Sequence, residues 1–181
     1  MTCAMCNAKD SSLWERVEGH EPKKSVVDYH KMIEQIPADK DLFLHFAGGE
    51  PFLINEHFEI LSKLIDQTKE FGRGLEVQFT TNLSFLPEAG LNLLSKIRKV
   101  TLCVSVDGVG KEYEYIRYPG KFSQLEKNIG RLSEFDNMTL LIQPTLSLLN
   151  IFSFKDLIDF FRSVRKEKNN KSVFLVPHPL L

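Results

Sequence analysis

The sequence predicts an α/β fold in which parallel strands alternate with helices around a partial (β/α) barrel. Three observations carry that expectation. Strand and helix patterns alternate at roughly thirty-residue spacing, the signature of βαβ units. The strands have one aliphatic face and one mixed polar face, whereas a flat doubly wound sheet buries both faces and reads as continuous Val, Ile and Leu. The residues able to do chemistry fall at the C-terminal ends of those strands, where barrels carry their sites.

The elements follow in order. The segment to about Lys24 has no sustained period, contains Gly19 and Pro22, and reads as loop. Ser25 with Asp28 forms a capping-box pattern, Val26, Tyr29, Ile33 and Ile36 recur at helical spacing, and Pro37 stops the run. Asp41 to Phe46 is a short apolar strand, and Ala47-Gly48-Gly49-Glu50-Pro51 turns out of it. Two adjacent glycines let backbone approach a ligand, and the proline fixes the exit. Asn55 is placed to cap a helix with Phe58, Leu61, Leu64, Ile65 and Thr68 on its buried face, ending near Gly72 and Gly74.

Leu75 to Thr80 alternates, with Leu75, Val77 and Phe79 on one side, and Thr81-Asn82 closes the strand. Pro87 suits the first turn of a helix carrying Leu91, Leu94 and Ile97. Lys99 to Asp107 alternates best, with Val100, Leu102, Val104 and Val106 facing one way. A short helix over Lys111 to Tyr118 leads through Pro119-Gly120 to a longer one with Phe122, Leu125, Ile129 and Leu132. Met138 to Leu146 is a strand, Ser153 with Asp156 starts a helix, and Val173 to Val176 is the last strand.

Composition bounds the function. With 181 residues, 43% hydrophobic and 26% charged, the chain suits one globular domain with a real core. A net charge of -1 gives no electrostatic argument for nucleic acid or an anionic membrane. No apolar run approaches a membrane span and no signal peptide opens the chain, so a cytoplasmic protein is expected. Three cysteines, two of them as Cys3-Ala-Met-Cys6, suit a metal or redox role better than a disulfide framework.

Each candidate has a plainer role beside it. Cys3 and Cys6 read also as half a zinc knuckle, but His20 and His30 stand ten apart and give no second ligand pair. Cys103 falls at mid-strand and reads as a small buried thiol, not a ligand. His45 is a hydrogen-bonded core residue or a substrate contact. Glu50 caps a turn, Asp107 stabilises the turn at Gly108, and Arg117 is a surface residue in the plainer reading. Phe46, Phe79 and Phe174 read as packing, and the run from Arg165 to Lys171 as a solvated helix end.

Taken together, Cys3-Ala-Met-Cys6, Gly48-Gly49-Glu50-Pro51, Thr81-Asn82-Leu83 and Ser105-Val106-Asp107-Gly108 resemble the radical S-adenosylmethionine (SAM) superfamily. The family order is a C-x3-C-x2-C loop, a GGEP turn, a T-N-G-like strand end and an S-x-D-G-like strand end. The run Glu114 to Pro119, with Glu126-Lys127-Asn128-Ile129 after it, is most similar to the branch whose members carry a C-terminal twitch domain. The resemblance implies a partial (β/α)6 TIM-barrel-like core over residues 1–181, with the first strand and the twitch segment outside it. It also shows a departure. Four positions before Cys3 lies upstream of Met1, so only two of the three cluster cysteines are encoded, and a chain trimmed at both ends is expected.

The resemblance implies further that Cys3 and Cys6 ligate a four-iron four-sulfur cluster through thiolates. Such a cluster, fed by an electron donor, reductively cleaves SAM to a 5'-deoxyadenosyl radical that abstracts hydrogen from substrate. Gly48, Gly49, Glu50 and Pro51 would cradle the methionine amino group, Ser105 would meet the ribose or carboxylate, and Arg117 would grip the carboxylate. Asn82 and Asp107 would join the pocket, and Gln143 and Thr145 the adenosine or substrate side. The expected partners are SAM and a peptide or protein substrate, with neither nucleic acid nor membrane. The alternative is a non-catalytic barrel fragment that binds SAM or serves as an interaction module, and with two thiolates the present chain is expected to be inactive.

Overall fold

The computed structural model describes residues 3, 4, 6, 12–20, 29–36, 40–72, 74–167 and 172–179. Five parallel strands form the main sheet: β1 (Leu42–Phe46), β2 (Leu75–Thr81), β3 (Lys99–Val104), β4 (Met138–Ile142) and β6 (Val173–Leu175), side by side in that order. The order never reverses. Every crossover therefore runs the same way and puts its helix on the same side, which is how a barrel wall is wound, whereas a doubly wound sheet reverses at a switch point.

Register lines up the core. Phe46, Phe79, Leu102, Leu140 and Val173 pair across all five strands, and all five are buried. Onto this face pack α3 (Asn55–Phe71), α4 (Glu88–Leu94), α6 (Phe122–Leu132) and α7 (Phe154–Glu167), through Leu61, Leu64, Leu94, Leu125, Ile129 and Leu157. The opposite face keeps the polar alternation of the sequence. There His45 Nε2 lies 3.0 Å from Thr80 Oγ1 and 3.4 Å from Gln78 Nε2, and Cys103 sits buried, its thiol pushed up by burial.

Several boundaries differ from expectation for local reasons. The N-terminal segment is not all loop: α1 (Ser12–Val17) forms a short helix, too brief to show a period. Helix α2 (Tyr29–Glu34) lies where periodicity put it, and the Ser25–Asp28 capping box is outside the described residues. Asn55 is the first helical residue of α3, not its cap; Ile54 holds that position without a side-chain bond, and Gly72 ends the helix at φ 64°. Pro87 likewise caps α4 from outside. β3 stops at Val104. The Met138–Leu146 strand is broken at Gln143-Pro144, since proline removes a ladder donor, and β5 (Thr145–Leu146) pairs instead with β7 (His178–Pro179).

The exit from β2 takes an unexpected backbone form. Leu83 has φ 52°, in the left-handed region that favours glycine. Its side chain is fully buried, its N–H donates to Thr81 Oγ1 at 2.9 Å, and its carbonyl accepts from Asn128 Nδ2 at 2.9 Å. Asn128 is itself buried and takes a bond from Gln124 Nε2. Two hydrogen bonds and burial offset the strain. Asn128→Ala leaves the Leu83 carbonyl unpaired in the core and is expected to cost about 1–3 kcal/mol in urea unfolding; an unchanged midpoint would show that the turn holds itself.

Candidate functional site

The cysteine loop is docked on the sheet's C-terminal rim by one backbone bond and held in shape by two more. Ala4 N–H donates to Ile116 O at 2.8 Å, at the end of α5 (Lys111–Ile116). Cys6 N–H donates to Cys3 O at 3.1 Å, and Trp14 Nε1 in α1 donates to the same carbonyl at 3.2 Å. Cys3 is buried and Cys6 half-buried. The unforeseen helix α1 thus has a purpose: its tryptophan anchors the loop.

The glycine turn demands glycine for backbone reasons. Gly48 and Gly49 have φ 87° and 57°, while a Cβ at either would meet only open space. The turn is clamped on both sides by aromatic rings. Phe46 stacks on Phe79 at 4.9 Å, and Phe52, in the 3-10 turn Pro51–Leu53, packs on the same ring at 5.0 Å. His57 Nδ1 donates to the Pro51 carbonyl at 3.1 Å, and burial pulls this imidazole's pKa below its usual value.

Glu50 spends its carboxylate on the neighbouring strand end. Oε1 accepts from Thr81 Oγ1 at 2.5 Å and from Phe52 N–H at 3.5 Å, and Oε2 accepts from Asn82 N–H at 2.9 Å. Asn82 turns its own side chain to Ser84 N–H. The side chain of Glu50 therefore ties the glycine turn to the end of β2, and only backbone atoms of Gly48 to Glu50 remain to face a ligand. Burial pushes the Glu50 carboxyl above its usual 4.5, against the lowering pull of those hydrogen bonds.

Asp107 organises the other half. It has no exposed surface; Oδ2 accepts from Arg117 Nε at 2.5 Å and Oδ1 from Thr145 N–H at 2.7 Å. Asn150 Nδ2 donates to the Asp107 carbonyl at 2.9 Å and to Thr145 O. Arg117 is almost entirely enclosed. Its burial disfavours the charge, but Asp107 more than compensates and raises its pKa. Ser105 donates its N–H to Thr81 O, and Gln143 its N–H to Val104 O, so both half-buried side chains sit on this rim.

The sequence thus marks Cys3, Cys6, Gly48 to Pro51, Asn82, Ser105, Asp107, Arg117, Gln143 and Thr145, and the fold carries all of them on the C-terminal side of its strands. It missed three. Asn128 and Asn150 bond the carbonyls of Leu83 and Asp107, 45 and 43 residues away, contacts that no local pattern marks. Tyr113 has only its spacing of four from Arg117, whose N–H donates to the Tyr113 carbonyl; it is fully buried, and its Oη has no hydrogen-bond partner among the described residues.

For SAM, the open glycine backbone and the unsatisfied buried phenol fit a zwitterionic ligand. For a cluster, the two loop sulfurs fit in kind but fall one short of three thiolates. Among the described residues no group of three or more His, Cys, Asp or Glu is placed to hold a metal. No described helix is long and apolar enough to cross a membrane.

The family model described as the radical SAM superfamily matches residues 1–174. No curated protein matches the chain. Among solved structures, anSMEcpe with bound AdoMet is similar over 99% of this chain and 48% of its own, at 19% identity and TM-score 0.65. A structure of anSMEcpe with AdoMet and the Cp18Cys peptide is similar over 84% of this chain and 41% of its own, at 19% identity and TM-score 0.54. Streptococcus suis SuiB bound to the precursor peptide SuiA is similar over 96% and 33%, at 18% identity and TM-score 0.53. The chain therefore spans less than half of each of these proteins, and the likeness is one of fold, matching their partial-barrel core.

A pH series tests the Glu50 tie. A carboxyl whose folded pKa lies above its unfolded value makes the folded state the tighter proton binder, so its contribution to stability falls as pH rises from about 4.5 through the raised value. The unfolding free energy of the wild type relative to Glu50→Gln should decline across that window and level off above it. A constant difference would contradict the burial of Glu50.

Proposed function

Because the chain belongs to the radical SAM superfamily, we propose that its C-terminal rim binds SAM as the core of a radical enzyme acting on a peptide or protein. The observation that carries this reading is the convergence of four separate segments on that rim: the two-cysteine loop, the glycine turn, the Asp107–Arg117 pair and the β4–β5 break. A bound four-iron four-sulfur cluster would supply the electron that cleaves SAM. The residues of this chain do the holding. Cys3 and Cys6 are its thiolate donors, and the carbonyls of the glycine turn accept the methionine ammonium. Arg117, held by one nitrogen to Asp107, offers its terminal donors to the carboxylate. Ser105 would meet the ribose or carboxylate, Asn82 would border the pocket, and Gln143 and Thr145 would lie toward adenosine or substrate.

A polypeptide substrate is supported by the surface beyond the β4–β5 break. Leu148 and Phe152 are 88% and 94% exposed, with Leu149 and Ile151 also open, which gives the rim an apolar lip of the kind that meets another chain. Two of the similar structures hold peptides.

Two outcomes check this. Anaerobic reconstitution of the 181-residue chain should yield a labile cluster at less than one four-iron unit per chain, read by iron, sulfide and absorbance; a stable stoichiometric cluster would contradict the two-thiolate count. Extending the chain upstream with a cysteine four positions before Cys3 should give a stable cluster and, with SAM and dithionite, 5'-deoxyadenosine. A full cluster without that product would leave the non-catalytic SAM-binding module as the better reading.

A further inference from the structure

Tyr113 is the one buried side-chain polar group among the described residues that the folded chain leaves without a hydrogen bond. Its ring is well used: it is enclosed completely and meets Phe122 edge-on at 5.6 Å and 62°. Its hydroxyl is not. A buried donor without a protein partner forfeits stability, and phenylalanine would fill the same space without that loss. The hydroxyl therefore calls for a partner that arrives with a ligand.

Its surroundings identify the ligand atom. Arg117 caps the C-terminal end of α5 and donates its N–H to Tyr113 O at 2.8 Å, and the cysteine loop is docked on the end of that helix through Ile116. Arg117, Asp107 and Glu50 all act electrostatically on the phenol. Burial pushes the phenol up to about 12, so it stays neutral and donates. Arg117 commits Nε to Asp107, which leaves its two terminal nitrogens as the donors for a ligand. Guanidinium and phenol donors at the end of one helix form a carboxylate-binding set. An ammonium would be repelled there and needs acceptors, which the glycine turn supplies.

We propose that Tyr113 Oη donates a hydrogen bond to the methionine carboxylate of bound SAM, beside the terminal nitrogens of Arg117. This rests on the SAM-binding reading above and adds the residue that separates the two ends of the amino acid. The geometry makes Tyr113 a binding residue with a cost in the empty protein, a combination that a packing residue does not have.

The test compares wild type with Tyr113→Phe in two ligand titrations followed by ligand-detected NMR, one with SAM and one with 5'-methylthioadenosine, which lacks the amino-acid end. Thermal unfolding of both ligand-free proteins is measured alongside. The variant should bind SAM about 10-fold or more weakly, as expected for a lost bond to a charged group, and methylthioadenosine equally. Its ligand-free midpoint should stay level or rise by about 2–4 °C. Equal SAM affinity, equal loss for both ligands, or a lowered midpoint would each overturn the proposal. Failure of the wild type to bind SAM would remove the reading beneath it, and the proposal with it, without reference to the variant.

Discussion

The buried pair of Asp107 and Arg117 is the interaction on which the rest of the rim depends. A carboxylate with no exposure is tolerable only when paired and fully hydrogen-bonded. Asp107 meets that condition with Arg117 Nε and Thr145 N–H on its two oxygens, while its carbonyl holds Asn150. One residue thereby fastens the end of β3 to the end of α5, the start of β5 and the turn before α7. The cysteine loop hangs from the neighbouring carbonyl of Ile116. Removing the aspartate would leave a guanidinium uncompensated beside that attachment.

Glu50 plays the matching part on the other side. Its carboxylate joins the glycine turn to Thr81 and Asn82, and the rings of Phe46 and Phe52 hold the turn against Phe79. Both acids are thus spent inside the protein. What faces outward is backbone at the turn and nitrogen at Arg117, a division suited to a ligand carrying an ammonium and a carboxylate. The unreversed strand order makes this possible, because every strand delivers its loop to the same rim.

Much of this was legible in the sequence. Strands β2 and β3 declared themselves because one face is buried and alternation must follow, and the paired glycines announced a turn because positive φ admits little else. Asp107 and Arg117 stood out singly; that they satisfy each other was not readable, since ten residues of loop and helix separate them. Glu50 read in its plainer role as a turn cap, and its bond to Phe52 N–H bears that out, while its ties to Thr81 and Asn82, some thirty residues away, had no local signal. Asn128 and Asn150 bond to carbonyls, which carry no residue identity. Helix α1 was lost because six residues show no period, and Leu83 because an aliphatic residue gives no warning of a left-handed backbone.

The central claim is that this rim binds SAM by its methionine end. A crystal structure of the chain soaked with SAM tests it directly. The account predicts ligand density with its amino group against the backbone of Gly48 to Glu50 and its carboxylate toward Arg117. Density confined to another face, or an unfilled rim at saturating SAM, would contradict it.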